Sequence, residues 1–350
     1  MQTKYLVLGL WIFCIPICLQ AAEPAPPTGG VGLFDRAIPL ALDVYMDTKA
    51  LCRDPRRDRC GDLPAEFAYR DDDGAERRME VSLRSRGRFR DETGDCSLPA
   101  LFVFFRGATA GTLFEGQTML PLTTHCRTPQ QYEQYVLKEH LAYRIYNVLT
   151  DKSLRTRLAR MTYHDTSGRT ESLTRYAFFV EHFDSLAKRH DAAVWKPESF
   201  DLLDADPVEM ATLDVFEYMI GNTDWSAVFN HNVVLIRDAG GGATAVPYDC
   251  DFSGLVDADY ASVARELPIR HVRQRWFRGV CRPDTDWPRV FTALEERRGT
   301  IERLAGELDL TSADRNQVRT YLDGFFATLS AQTLREREIV AACRSPRSPK

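Results

Sequence analysis

The sequence lacks the short motifs that mark several common enzyme classes. It contains no G-x-S-x-G, H-E-x-x-H or G-x-x-x-x-G-K pattern, which argues against serine hydrolases, zinc proteases and P-loop nucleotidases. No two cysteines have the C-x-x-C spacing, and the 7 histidines are scattered without metal-binding spacing. A metal site built on sulfur or imidazole ligands is therefore not expected.

Composition limits the partners and the size of the fold. The formal net charge is −5, so the basic surface that nucleic acid binding requires is not expected. Hydrophobic residues make up 44% of the chain and aromatic residues 11%, enough to bury a large core. Beyond the N-terminal segment the chain keeps roughly 320 residues, the size of one two-lobed domain or two ordinary ones.

The N-terminus has the pattern of a secretory signal peptide, which we assign to residues 1–22. Lys4 supplies a positive charge, the stretch 5–19 is almost continuously apolar, and small residues follow it. The stretch contains Pro16 and is short for a membrane span, so a retained anchor is the less favoured alternative. Residues 23–33 are predicted to be a linker. We expect a secreted or periplasmic protein without a stable membrane anchor.

The cysteines that remain after the signal peptide indicate disulfides, because an oxidising compartment favours them over free thiols. Seven are left, at positions 52, 60, 96, 126, 250, 281 and 343. The first two flank a charged loop and are expected to pair with each other. By elimination, the other expected pairs are Cys96–Cys126 and Cys281–Cys343, with Cys250 left unpaired.

The first half of the chain is predicted to be rich in strands. Its short apolar or alternating segments are bounded by Gly, Pro and Asp-rich turns. The predicted strands are Leu40–Tyr45, Glu80–Arg90, Leu101–Phe105 and Tyr176–Val180. Gln130–Leu149 is predicted to be a helix, because Leu137, Leu141 and Ile145 recur at three- and four-residue spacing.

Four arginines alternate with other residues along the second of these strands. They are Arg84, Arg86, Arg88 and Arg90. Because side chains alternate between the two faces of a strand, all four guanidinium groups are predicted to share one face. That face is either a solvated basic surface or a phosphate clamp, since guanidinium forks match phosphate oxygens.

The second half of the chain is predicted to be mainly helical. A helix over Pro207–Ile220 has Asp206 as its cap, Pro at its first position and Gly221 as its stop. Two later helices are predicted from apolar periodicity at Pro288–Leu304 and from Ser312 to about Arg335.

Oxygen-bearing side chains lie in two loops at the ends of a predicted hairpin. The first loop carries Asp224 and Asn232, and the second carries Asp249 and Asp251. The hairpin strands are predicted at Val233–Ile236 and Thr244–Tyr248. Because a hairpin brings its outer ends together, the four side chains are expected to form one site. Such oxygens suit a Mg²⁺-bound phosphate, and the alternative is that they are ordinary turn residues.

These two loops resemble the catalytic-loop and metal-loop pair of the CotH spore-coat kinases, which are similar to HipA-like kinases. The resemblance lies in Gly221-Asn222-Thr223-Asp224 with His231-Asn232, and in Pro247-Tyr248-Asp249-Cys250-Asp251-Phe252-Ser253. Residues 138–143 are also similar to the helix before the CotH hinge, and residues 176–181 to the hinge strand. The resemblance covers residues 80–260.

The resemblance implies an α+β, two-lobed protein-kinase-like fold. Residues 34–180 would form a β-rich N-terminal lobe that includes the helix at 130–149. Residues 181–345 would form a mainly helical C-terminal lobe that carries the catalytic and metal loops.

The resemblance also implies roles for the loop residues. Asp224 corresponds to the catalytic Asp and Asn232 to a metal ligand. The gap between them is longer than in most kinases, so Asn230 is a rival ligand. Asp251, followed by Phe, corresponds to the main metal Asp, and Asp249 is a second candidate.

A nucleotide site is implied less completely. Glu181 and His182 would lie near an adenine. Kinases usually hold the nucleotide phosphates with a Lys from a strand of the first lobe, and this chain has no Lys between Lys49 and Lys138. The candidates that replace it are Arg86, Arg88 and Lys138.

Three functions are compatible with these observations. The first is an extracytoplasmic kinase that uses Mg (or Mn) and ATP to phosphorylate a protein hydroxyl. The second is a non-catalytic binding or envelope protein, favoured by the missing Lys and by the scarcity of ATP outside the cytoplasm. The third is a metal-dependent phosphoester hydrolase that uses the same acidic cluster. The sequence leaves the substrate, the nucleotide and the oligomeric state open.

Overall fold

The computed structural model describes residues 32–51, 62–71, 73–86, 96–198 and 200–344. The predicted signal peptide, most of the predicted linker, the pair Cys52 and Cys60, and Arg88 lie outside these ranges.

The first region of the molecule is a closed barrel of seven strands. The strands are β1 Leu40–Met46, β2 Leu63–Arg70, β3 Glu76–Ser85, β4 Leu101–Phe105, β5 Met119–Thr123, β6 Thr156–Asp165 and β7 Leu173–Val180. They follow the order β1-β2-β3-β4-β5-β7-β6 around the barrel. Neighbours are antiparallel except β1 and β6, whose parallel pairing, from Leu40 opposite Ala159 to Met46 opposite Asp165, closes the barrel.

The barrel interior is filled by alternating apolar side chains. Along β1, Leu42, Val44 and Met46 are each 1% exposed, as expected for a strand with one face turned inward. The ring of Phe114, from the segment between β4 and β5, lies 6.2 Å from that of Phe67 and 5.7 Å from that of Phe179. Burial of this apolar surface stabilises the barrel by about 25 cal/mol per Å² removed from water.

The second region combines helices with a small sheet. Its helices are α1 Gln130–Leu149, α2 Phe183–Arg189, α3 Pro207–Ile220, α4 Trp287–Glu307, α5 Ser312–Ser330 and α6 Gln332–Arg335. Its strands are β8 Ala192–Trp195, β9 Val233–Asp238 and β10 Ala243–Pro247, in the order β10-β9-β8. Buried side chains from α1, α3, α4, α5 and this sheet form one cluster, which we call the helix–sheet core. It also includes Phe178 and Val180 at the end of β7.

The predicted two-lobed protein-kinase-like fold is wrong. The strands of the first region close on themselves into a barrel, and the second region carries a three-stranded sheet beside its helices. The parallel pairing of β1 with β6 is the physical reason, because it joins the two ends of the strand array and leaves the barrel without an edge. Since β2, β5 and β6 were not predicted from the sequence, neither was this closure.

Individual elements agree better with the sequence. The predicted helices at Gln130–Leu149 and Pro207–Ile220 are confirmed with the same bounds. The predicted strand Glu80–Arg90 is shifted, because β3 spans Glu76–Ser85 and ends before Arg86. Arg84 lies on β3 and Arg86 follows its end, whereas Arg88 and Arg90 lie outside the described residues, so the prediction that all four share one strand face stays a prediction.

Within the described residues, two disulfides join distant parts of the chain. The predicted pairs Cys96–Cys126 and Cys281–Cys343 are confirmed. Cys250 is a free, buried thiol, also as predicted. Disulfides of this kind are typical of extracytoplasmic proteins. Within the described ranges, no helix has the length and apolarity needed to cross a membrane.

Candidate functional site

Helix α3 delivers the chain to the first loop of the predicted site. The Asp206 carboxylate accepts hydrogen bonds of 2.9 Å from two backbone N–H groups of the first turn, which fixes its start. Gly221 ends the helix with a φ of 66°, the left-handed conformation that glycine adopts without steric cost. A Cβ atom at this position would lie 1.9 Å from the hydroxyl of Tyr321, so a side chain there would also have to displace the Tyr321 ring.

The carboxylate of Asp224 is held from two sides. Its Oδ1 lies 2.9 Å from Nε2 of His231, and its Oδ2 accepts a 3.1 Å hydrogen bond from Nδ2 of Asn232. The same Nδ2 donates to the Asp224 carbonyl at 2.7 Å, and a paired bridge between Ser226 and His231 closes the loop. The Asp224 side chain is 43% exposed. It is therefore oriented by its neighbours and accessible to a ligand.

The β9–β10 hairpin brings the two predicted loops together. The strands pair in register with Pro247 opposite Val233. One residue further on, the backbone N–H of Tyr248 donates to the carbonyl of Asn232 at 2.9 Å. Beyond the aspartates, the N–H of Leu255 donates to the carbonyl of Ile220 at 2.9 Å, so the second loop also lies against the end of α3.

The residues of the second loop differ in exposure. Asp249 is half-buried with a φ of 59°, and its N–H donates to the hydroxyl of Tyr143 at 2.9 Å. Asp251 is only 6% exposed. Between them, burial raises the pKa of the Cys250 thiol, and the nearby carboxylates, Glu217 and Asp251 among them, raise it further. The thiol is therefore protonated and unreactive near neutral pH.

The side chains of Asn232 and Asn230 point toward different partners. Both have left-handed backbones, with φ of 51° and 49°, a conformation that Asn tolerates better than most residues. Asn232 turns its amide toward Asp224, whereas the amide of Asn230 lies 3.5 Å from the carbonyl of Pro197. Of the two, Asn232 is the one that belongs to the site.

Arg86 lies beside the second loop. Its Nη2 donates to Oγ1 of Thr123 at 2.9 Å, and its buried Nε has no hydrogen-bond partner among the described residues. Burial raises the pKa of the Tyr248 phenol, Asp249 adds to that rise, and the charge of Arg86 opposes it. The ring of Phe183 packs on Tyr248 with its centroid 5.0 Å away. Arg86 is thus placed near the residue that precedes Asp249.

Glu181 and His182 have structural partners. The carboxylate of Glu181 is 1% exposed and accepts hydrogen bonds from Arg155 and from Arg189, the latter at 2.9 Å to Nη2. The Nδ1 atom of His182 accepts from the N–H of Asp184 and so caps α2. Neither side chain shares a hydrogen bond with the two loops.

Lys138 is directed toward α5. Its Nζ is 3.2 Å from Oδ1 of Asp314 and 3.5 Å from Oε1 of Gln317, and the side chain is 3% exposed. Burial lowers its pKa, against the opposing effect of Asp314 and Asp257. The structure therefore places Lys138 in a buried ion pair, away from the hydrogen bonds around Asp224.

Two buried acids inside α3 were not predicted from the sequence. Asp214 and Glu217 are 2% and 1% exposed. Burial raises the pKa of Asp214 to about 7, and it raises that of Glu217 well above its ordinary value. A signal was present, because Asp214 and Glu217 interrupt the otherwise apolar run from Leu213 to Ile220, and the whole run is buried.

Two clefts lie away from the loops. One, of about 330 Å³, is lined by α1 residues and by Arg36, Arg155 and Arg189. The other, of about 500 Å³, lies at the barrel and is lined by Ile38, Tyr69 and residues near them. In the described part of the chain, no three or more His, Cys, Asp or Glu side chains come together as a metal-binding group.

Comparison with known proteins does not identify a family for this chain. No protein-family model matches the chain, and no curated protein matches it.

Proposed function

We propose that this protein is a Mg²⁺-dependent kinase that transfers a phosphoryl group from a nucleotide such as ATP to a hydroxyl group of an extracytoplasmic protein. The observation that carries the proposal is the hydrogen bond of 2.9 Å from Tyr248 to Asn232, which joins the loop of Asp224 to the loop of Asp249 and Asp251. The proposal continues the resemblance of these loops to those of CotH kinases and makes no use of a kinase-like fold.

Asp224 has the properties of the group that orients the attacking hydroxyl. Its carboxylate is accessible, and the hydrogen bonds from His231 and Asn232 fix its direction. In the proposed step the substrate oxygen forms a bond to the γ-phosphorus while the bond from that phosphorus to the β,γ-bridging oxygen breaks. The hydroxyl proton passes to a carboxylate oxygen of Asp224, and the nucleoside diphosphate leaves.

The donor set of the loops fits a magnesium ion. Asn232 uses its amide nitrogen toward Asp224, which leaves Oδ1 as an acceptor, and Asp249 and Asp251 supply carboxylates. Mg²⁺ is usually held by one or two carboxylates together with water and phosphate oxygens, so it does not require a preformed cage of protein ligands. When bound, it would neutralise charge on the phosphate oxygens.

Of the candidates within the described residues, Arg86 is the one best placed to bind a phosphate. Lys138 is engaged with Asp314, and Glu181 with two arginines. Arg86 lies near Tyr248, and its side chain as a whole is only partly buried. A guanidinium group can bind two phosphate oxygens at once, which would compensate for the absence of a lysine.

Thermal unfolding with and without ligands tests the proposal. The wild type should be stabilised by Mg²⁺–ATP together, by about 2.7 kcal/mol at a hundredfold excess over Kd, and not by Mg²⁺ alone. Asp251→Ala should abolish that shift. Asp238→Ala, which removes an exposed aspartate at the other end of the same hairpin, is the matched control and should keep it.

Asp224→Ala completes the experiment. It should retain the ligand-induced shift but lose transfer of labelled phosphate to protein acceptors by about 10²- to 10⁴-fold. Stabilisation by Mg²⁺ alone would favour the phosphoester hydrolase instead. No shift under any condition would refute nucleotide chemistry and favour the non-catalytic binding protein.

A further inference from the structure

Glu217, in the last turn of α3, has no function in the chemistry described above and is fully enclosed. Its side chain lies in the helix–sheet core beside Cys250, and among the described residues neither carboxyl oxygen has a hydrogen-bond partner of good geometry. A carboxylate in such a place would be very costly if charged, and burial raises the pKa of Glu217 so that it is protonated. A neutral carboxyl group can donate through its O–H and accept through its carbonyl oxygen.

Asn222 connects this carboxyl group to the candidate catalytic residue. Its backbone N–H donates to the carbonyl of Glu217 at 2.8 Å, and its side-chain Oδ1 accepts from the N–H of Asp224 at 2.9 Å. The side chain is 1% exposed and lies against Glu217, whose pKa it lowers in opposition to burial. Its Nδ2 has no other partner among the described residues.

The two unsatisfied groups complement each other. Asn222 has a buried donor, Glu217 has a buried acceptor, and both are cut off from solvent. Leaving both unpaired is costly, and the Asn222 side chain is close enough to Glu217 to lower its pKa as a hydrogen-bonding group.

We propose that Glu217 is a positioning residue, whose carboxyl group fixes the amide of Asn222 and, through its Oδ1, the backbone of Asp224. The positional role rests on the hydrogen bond from the Asp224 N–H to Asn222, on the buried unpartnered atoms of Asn222 and Glu217, and on the proximity of these two side chains. Its consequence for phosphoryl transfer rests on the proposed function. In that reaction Glu217 never touches the reacting atoms. It holds the start of the loop so that Asp224 meets His231 and Asn232.

The charges around Glu217 explain why a neutral group serves here. Asp214 on the same helix and Asp224 in the loop both raise its pKa, and Arg278 from the facing segment lowers it. Cys250 and Tyr146 also lie within electrostatic range. With two carboxylates against one guanidinium group, a further negative charge at Glu217 would repel Asp224.

Hydrogen exchange at the Asp224 amide tests the positional part directly. In Glu217→Met, which fills the space but cannot accept a hydrogen bond, this amide should exchange about tenfold faster than in the wild type. Glu217→Gln, which keeps a carbonyl acceptor, should restore wild-type protection. Asp214→Asn is the matched control, because Asp214 accepts from Val280 instead, and it should leave the amide unchanged.

The outcomes separate the two proposals. Unchanged exchange in Glu217→Met, or equal loss of protection in Glu217→Gln, overturns the positioning role. Both substitutions at Glu217 conserve volume, and Gln is neutral like the protonated Glu217. If Glu217→Met fails to fold, exchange at the Asp224 amide is compared in the wild type, Glu217→Gln and Asn222→Ala instead. Wild-type protection in Glu217→Gln together with faster exchange in Asn222→Ala then supports the positioning role, and any other result overturns it. In a transfer assay, Glu217→Met should lower kcat about tenfold with little change in the KM for nucleotide. A wild type without transfer refutes the proposed function but leaves the exchange result intact.

Discussion

The barrel and the helix–sheet core both bury many apolar side chains, but they differ in the other groups that they enclose. In the described residues of the seven barrel strands, no carboxylate is buried, and acids such as Glu66 pair with arginines on the outer face. The helix–sheet core surrounds Asp214 and Glu217 with apolar side chains, and the free thiol of Cys250 lies beside them.

The difference indicates in which region buried groups lower the free energy of unfolding. Burying ionisable groups without full pairing costs free energy, and such groups are concentrated at functional sites. In this protein Glu217 lies beside Cys250 of the second loop and Asn222 of the first, whereas Asp214 faces Val280, Arg282 and Arg344. The barrel therefore has the character of a scaffold, and the helix–sheet core is the region whose buried acids reach the candidate site through Glu217.

Truncating the barrel core tests the first half of this comparison and should give the largest effect. Phe114 is 0% exposed and packs on four aromatic rings, so Phe114→Ala should lower the free energy of unfolding by about 3–5 kcal/mol. Urea unfolding measures it. Phe229→Ala, at a side chain that is 74% exposed, is the control and should change stability by less than about 0.5 kcal/mol. A loss near that of the control would show that the barrel is not a close-packed core.

The pH dependence of stability tests the second half. Because the folded pKa of Asp214 is raised to about 7, the folded state holds one proton more than the unfolded state between about pH 4 and 7. Stability from this group is thus complete below about pH 4 and is lost as the pH rises through 7. Asp214→Asn removes the titration, so it should gain on the order of 2–4 kcal/mol over the wild type at pH 8.

Unfolding curves at pH 5 and pH 8 measure this gain, which should be much smaller at pH 5. Asp238→Asn, at an exposed turn, is the matched control and should show no pH-dependent difference. An equal effect of Asp214→Asn at both pH values would mean that Asp214 is not buried as an acid, and the contrast between the two cores would disappear.

Local patterns explain what the sequence predicted correctly. The cap at Asp206 and the stop at Gly221 define α3, and each acts within one turn of the helix. The hairpin brought Asn232 and Tyr248 together because its register depends on a short turn. The fold elements and the part of the site geometry that depend on residues close together in the sequence could therefore be predicted.

Contacts between distant parts of the chain explain what the sequence did not predict. The closure of the barrel depends on a parallel pairing of β1 with β6, and no local pattern specifies which distant strand a strand will meet. Likewise, nothing near Lys138 indicates that Asp314 will neutralise it. Burial of Glu217 depends on packing around all sides of α3, which periodicity alone does not resolve.

The cap of α3 offers the smallest and most selective test. Asp206→Ala removes the hydrogen bonds to the first turn and should cost about 1 kcal/mol, measured by urea unfolding. Thr311→Ala, which removes the side-chain cap of α5, should cost a similar amount. Because a cap acts within its own turn, neither change should speed hydrogen exchange at Asp224, whereas Glu217→Met should. Faster exchange at Asp224 in Asp206→Ala would instead show that the loop depends on the stability of the whole helix rather than on the contact between Glu217 and Asn222.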